Sequence, residues 1–324
     1  MGKKLLALLL CGALLVTVLA ACGAPEEKDV SAEQDSQPVE TEKEPDTGDA
    51  SLDNPRNQDG IGEKELLVVS FGTSYNDNRR LTIGAIEAAM EKAFPEYSVR
   101  RGFTSQIIID KLKERDGLEI DNVEEALDRA VADGVKTLVV QPTHLMSGFE
   151  YTDLNDALEG YKDKFDQVVL ADPLLSSDAD YEAVAQAITA ETASYDDGET
   201  AICFMGHGTE ADSNADYAKL QEVLTADGFE NYYIGTVEAT PSVEDLINQI
   251  NEAGKYKKVV LKPLMVVAGD HANNDMAGDD ADSWKSMFNA SGAFESVDTQ
   301  IAGLGQIPAI QELYVAHTGA VINQ

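Results

Sequence analysis

The stretch Ala201-Ile202-Cys203-Phe204-Met205-Gly206-His207-Gly208 decides how this chain folds, because Leu67-Val68-Val69-Ser70-Phe71-Gly72-Thr73-Ser74 repeats its pattern earlier. Each is an apolar run too short for a helix, closed by a glycine turn, which reads as a buried strand. Aligned on Gly72 and Gly206, Thr73 becomes the counterpart of His207. A second pair supports the duplication: Gln141-Pro142-Thr143-His144-Leu145-Met146-Ser147-Gly148-Phe149-Glu150 aligns with Lys262-Pro263-Leu264-Met265-Val266-Val267-Ala268-Gly269-Asp270-His271. A proline, a glycine six residues on and an acid or histidine two beyond recur, placing Glu150 and His271 on corresponding loops.

Working outward, strands are expected at 65–71, 99–103, 136–141 and 167–171, and again at 201–205, 232–235, 257–262 and 297–302. Helical spacing separates them: Ile83, Ile86, Met90 and Phe94 in one segment, then 105–115, 122–132 and 152–163, and in the second half 214–225, 243–253 and 283–290. The alternation predicts an α/β class with parallel sheets, built twice. Ligands of such sheets bind at loops beyond the carboxyl ends of strands, so the two halves can face each other across a cleft there.

The chain has 324 residues, 43% of them hydrophobic, enough for two domains. Its 24 Lys and Arg against 59 Asp and Glu give a formal charge of -35, which leaves no counterion-release drive towards nucleic acid. Lys3 and Lys4, an apolar run over 5–19 and Leu19-Ala20-Ala21-Cys22 read as a secretory signal over 1–21, its last four residues like a bacterial lipobox. Cleavage before Cys22 leaves a cysteine for lipid, anchoring the mature protein to the outer face of the membrane. Residues 22–62 hold that cysteine and an acidic, Pro- and Gly-containing stretch expected to be a disordered linker. The two α/β halves then span 63–197 and 198–324. With Cys11 in the signal and Cys22 lipidated, Cys203 remains alone in an apolar strand, where a small buried hydrophobe is expected rather than a nucleophile.

Only four histidines are present, and His207 and His271 both follow apolar strands in glycine-flanked loops on the binding edge. Imidazole and carboxylate suit a divalent transition metal, and Glu238 and Glu150 are the carboxylates on that edge, Glu238 being equally readable as a solvated loop acid. Asp270, Asp275, Asp279 and Asp280 crowd His271 and can orient its ring, or form a solvated acidic loop. His144 either lines the same cavity or is a buried strand-end residue; His317 falls in a helical pattern and reads as structural or solvent-facing. No phosphate-binding P-loop, serine nucleophile elbow or paired-cysteine zinc pattern occurs.

The segments at 66–75, 204–208 and 264–276, with Phe103-Thr104-Ser105, Arg115-Asp116-Gly117, Asp172-Pro173-Leu174-Leu175-Ser176-Ser177 and Asp282-Ser283-Trp284-Lys285 in order, resemble the anaerobic cobalt chelatase family. The resemblance runs from about residue 65 to the C-terminus. It implies a class II chelatase fold of two Rossmann-like halves and a sirohydrochlorin cobaltochelatase activity that needs no ATP. By the same resemblance His207, Glu238 and His271 are the metal ligands, His207 also accepts protons, and Glu150 is an acid in the cleft. Self-association is implied too, with no interface legible. The donors accept cobalt(II), iron or nickel alike. Thr73 and Ser74 at a helix start, near Arg79 and Arg80, are expected to receive carboxylates of the tetrapyrrole, or simply to cap the helix. Export sets this chain apart from a cytoplasmic biosynthetic enzyme and keeps a second reading open, an extracytoplasmic tetrapyrrole, haem or metal carrier lipoprotein without turnover.

Overall fold

The computed structural model describes residues 46–322. The signal, the lipobox cysteine Cys22 and the first part of the acidic linker lie outside the described residues. Strands β1 (Lys64–Ser70), β2 (Ser98–Phe103), β3 (Thr137–Pro142) and β4 (Gln167–Leu170) form one parallel sheet in the order β2-β1-β3-β4. Strands β5 (Thr200–Gly206), β6 (Tyr232–Thr236), β7 (Lys258–Pro263) and β8 (Ser296–Thr299) form the other in the order β6-β5-β7-β8. The duplicated α/β architecture read from the repeats is present. β5 is buried at every residue and β1 at all but Lys64, as expected of central parallel strands covered on both faces.

Strand register shifts the repeat by two residues from its sequence alignment. Val69 pairs with Pro142 as Met205 pairs with Pro263, and the N–H of Ser105 bonds to the Phe71 carbonyl as that of Glu238 bonds to His207. The counterpart of His207 is therefore Phe71, not Thr73. Two glycines explain the slip: the turn needs positive φ, supplied by Gly72 at 100° and Gly208 at 90°, whereas Gly206 is the last residue of its strand.

The helices are α1 (Asn76–Leu81), α2 (Ile83–Ala93), α3 (Gln106–Asp116), α4 (Val123–Ala132), α5 (Phe149–Glu159), α6 (Asp178–Thr192), α7 (Ala215–Ala226), α8 (Val243–Ala253), α9 (Trp284–Ala290) and α10 (Pro308–Val321). Two of them pack away from the sheet they follow. α6 leaves β4 yet packs on α7, and its Thr192 hydroxyl meets the Tyr232 hydroxyl at 2.9 Å. α10 leaves the second sheet yet packs on α2 and β3, where the buried Tyr314 hydroxyl donates to the Thr143 carbonyl at 2.9 Å and Thr318 to Gln141 at 2.8 Å. One hydrophobic cluster accordingly runs through both halves, from Leu66, Ile86 and Val139 to Ile202, Phe204, Leu220 and Tyr314. His317 is structural: its Nε2 meets Asp180, the acid of the α6 capping box, at 2.9 Å.

Residues 46–62, read from sequence as linker, lie against the first half. β2 carries Arg100 and Arg101, both buried, whose side chains point to opposite faces of the sheet. On one face Arg101 meets Asp53 at 2.8 Å and Glu87 at 2.7 Å, Arg79 meets Asp53 at 2.5 Å, and Arg56 meets Glu87 at 3.0 Å. On the other, Arg100 pairs with Asp133 and Glu65. Burial works against ionisation of Asp53, but Arg101 and Arg79 outweigh it and hold its carboxyl below the usual range. Charge pairing holds most of this stretch, with Ile61 packed on the apolar core of the first half, which is why its composition resembles a spacer.

Candidate active site

β5 delivers His207 at its C-terminal end, and the backbone then brings Glu238 beside it. The Val237 N–H bonds to the Gly206 carbonyl at 3.0 Å and the Glu238 N–H to that of His207 at 2.8 Å, continuing the β5–β6 ladder past the strands. The Glu238 carboxylate stands 3.9 Å from His207 Nε2. His207 Nδ1 lies 2.8 Å from the Gly208 carbonyl. A carbonyl only accepts, so Nδ1 carries a proton and Nε2 is the nitrogen that faces Glu238.

His271 precedes a single π-helical turn, Ala272–Met276, a local widening frequent at functional sites. Its Nδ1 meets the Asp275 carboxylate at 2.6 Å, which fixes the same tautomer and frees Nε2. The two imidazole rings meet edge to face with centroids 4.6 Å apart. Both side chains are part-exposed, so the donors are reachable from solvent. Among the described residues no three His, Cys, Asp or Glu side chains are gathered at ligating distance.

Glycines allow this close approach. A Cβ at Gly206 would lie 2.3 Å from the ring of buried Tyr217, whose hydroxyl receives the Gly208 N–H at 3.3 Å. Gly206→Ala is expected to destabilise the fold by about 1–3 kcal/mol through overpacking, measurable as a lowered urea midpoint.

The profile of the cobalt chelatase (CbiK) family matches residues 64–323. The chain is 41% identical over 261 residues to the sirohydrochlorin cobaltochelatase of Salmonella typhimurium, covering 81% of this chain and 97% of the relative. It is 31% identical over 277 residues to the sirohydrochlorin cobaltochelatase CbiKC of Nitratidesulfovibrio vulgaris, covering 84% and 96%. The chain belongs to the cobalt chelatase family. Its fold is that of the class II chelatases: the sirohydrochlorin chelatase SirB from Bacillus subtilis subspecies spizizenii in complex with cobalt shares it at a TM-score of 0.56 and 11% identity, over 81% of this chain and 96% of that one. SirB from Bacillus subtilis with iron(III) matches at 0.54 and 11% identity, over 80% and 95%.

Within this cobalt chelatase family member the other expected site residues are placed differently. Glu150 lies in the first turn of α5, exposed, and its carboxylate and the Ser213 hydroxyl of the other half both flank Gly148. It lines a groove of about 330 Å³ with Phe71, Phe103, Thr104 and Leu154. Thr73 and Ser74 are buried, and they do not cap the helix: Tyr75 takes that position, Thr73 Oγ1 accepts the Tyr75 N–H, and α1 is only six residues long. Arg79 is committed to Asp53 and the Thr73 carbonyl. The carboxylate-receiving role expected of that turn gains no support from this geometry.

His144 has two readings in sequence, and the structure buries both of its ring nitrogens although the residue as a whole is partly exposed. Neither ring nitrogen has a hydrogen-bond partner, and burial, opposed only by the nearby Glu150 carboxylate, lowers its pKa to about 4. A group that stays neutral when folded but protonates when unfolded withdraws stability as pH falls. Between its unfolded value of about 6.5 and its folded value near 4, the loss grows to about 3 kcal/mol. The acid-induced drop in urea midpoint is therefore expected to be smaller in His144→Gln than in the native protein; equal drops would show the imidazole is not sealed.

Proposed function

We propose that this protein inserts cobalt(II) into sirohydrochlorin without ATP, the incoming metal being held by His207, Glu238 and His271. The observation that carries the reading is the shared tautomer of the two histidines, each with Nδ1 engaged and Nε2 free, beside a carboxylate on one edge of the sheet. Insertion removes two pyrrole N–H protons as the dication enters, so the ring loses the charge it gains from the metal. As the metal passes from His207 Nε2 to the ring nitrogens, the freed Nε2 accepts one pyrrole proton and the Glu238 carboxylate, 3.9 Å away, accepts the other, and both protons go on to water. Glu150 acts from the opposite half, and the exposed Phe71 beside it offers an apolar face to the planar ring.

The same donors take iron or nickel. The proposal includes cleavage before Cys22, lipid attachment there and an extracytoplasmic location at the membrane surface, on the strength of the signal and lipobox pattern. No helix among the described residues is long and apolar enough to cross a membrane. Self-association is proposed on family resemblance alone.

The test is the anaerobic absorbance spectrum of the lipid-free mature chain with sirohydrochlorin and cobalt(II). Many turnovers per protein are expected. A spectral change that stops at one equivalent overturns the enzyme in favour of a tetrapyrrole or metal carrier.

A further inference from the structure

The family match begins at residue 64, yet a carboxylate from ahead of it sits at the centre of the first half's buried charge cluster. The Asp53 side chain is 3% exposed and lies between Arg79 and Arg101, each wholly buried. Arg79 does more than pair with it: Nη1 donates to the Thr73 carbonyl at 3.0 Å and Nη2 to Asn76 Oδ1 at 2.7 Å. The same segment grips this turn twice more, the Asp77 N–H bonding to the Thr47 carbonyl at 3.0 Å and Asn76 Nδ2 to the Gly48 carbonyl at 3.2 Å.

The inner side of the turn meets the loop that carries His271. Thr73 Oγ1 lies 2.9 Å from where a Cβ on Gly269 would stand, and Asn78 Oδ1 accepts the Ala268 N–H at 2.8 Å. A continuous path of polar contacts therefore runs from Asp53 through Arg79 to the 73–78 turn and on to the 268–271 loop. A buried guanidinium stripped of its carboxylate turns towards another acid or water rather than remain uncompensated. Arg79 would then release the Thr73 carbonyl.

We propose that Asp53 is a positioning residue: acting through Arg79, it fixes the 73–78 turn against the Ala268–Gly269 backbone and so sets where His271 stands at the mouth of the cleft. This rests on the reading of His271 as part of the metal-receiving site.

The test compares Asp53→Asn, which keeps the shape and removes the charge, with Arg56→Ala, which unhooks the same segment from Glu87 and Glu91 without touching Arg79. Both are made in the full-length chain and studied where circular dichroism shows them folded. Hydrogen exchange in peptides spanning 73–79 and 264–271 is expected to speed up about tenfold in Asp53→Asn and to stay native-like in Arg56→Ala. With sirohydrochlorin and cobalt(II), Asp53→Asn is expected to raise the KM for the metal about tenfold with kcat within about twofold, since it displaces one metal donor and leaves the His207–Glu238 pair in place. Native exchange in Asp53→Asn, equal loosening in Arg56→Ala, or loosening without a change in KM would each overturn the proposal. If the native protein shows no turnover, the chelatase reading fails by itself and the exchange data still decide whether Asp53 holds the two loops.

Discussion

His207→Ala is expected to lower cobalt insertion about 10²–10⁴-fold, because it removes a metal donor and a proton acceptor at once. The loss should appear at saturating cobalt and tetrapyrrole, since no concentration of either restores the missing base. His271→Ala removes a donor but leaves His207 Nε2 and Glu238 3.9 Å apart, so its deficit should be relieved in part by raising cobalt. Both side chains are part-exposed, so melting temperatures should move little. Initial rates by absorbance, with cobalt and tetrapyrrole varied in turn, check this. A His207→Ala protein keeping a third or more of native activity would remove His207 from the chemistry.

Tyr314→Ala is expected to cost about 3–5 kcal/mol, the largest stability effect of a single side chain here. The ring is fully buried in the cluster that spans both halves, and its hydroxyl donates to the carbonyls of Thr143 and His144 at 2.9 and 3.3 Å. Burial pushes the phenol pKa up, so it stays a donor across the accessible pH range. Tyr314→Phe keeps the packing and removes only the bond, with an expected cost of about 0.5–1.5 kcal/mol. Urea unfolding of the three proteins separates the contributions; an alanine variant no weaker than the phenylalanine one would mean the helix is held by other contacts.

The fold was legible because β1, β3, β5 and β7 are central or near-central strands whose apolar runs end in recognisable turns. The repeat register was not, because Gly72 and Gly206 look alike in sequence and only backbone φ separates a turn glycine from a strand glycine. Helix α6 escaped notice: it is buried on several sides between the halves, so its apolar residues show no single stripe, although Ser177 and Asp180 mark its start. Buried Arg100 and Arg101 offered an unused signal. Two adjacent arginines inside a strand demand acids on both faces, and Asp53 in the supposed linker answers one of them. Strand ends and glycines pointed to one edge for His207, Glu238 and His271, and the structure does bring the three side chains together there, whereas the Asp275 contact and the lack of partners for the His144 ring nitrogens depend on side-chain directions that spacing does not encode.

The crossing of α10 onto the first sheet carries a consequence for how the chain is made. A ribosome delivers β1 to β4 early, but the face of α2 and β3 stays uncovered until the last helix, Pro308–Val321, has been synthesised. The N-terminal half thus cannot close its core as it emerges, unlike a domain that folds vectorially. The first half remains open until that helix has been made, and an open chain is the form that can still be threaded through a narrow pore.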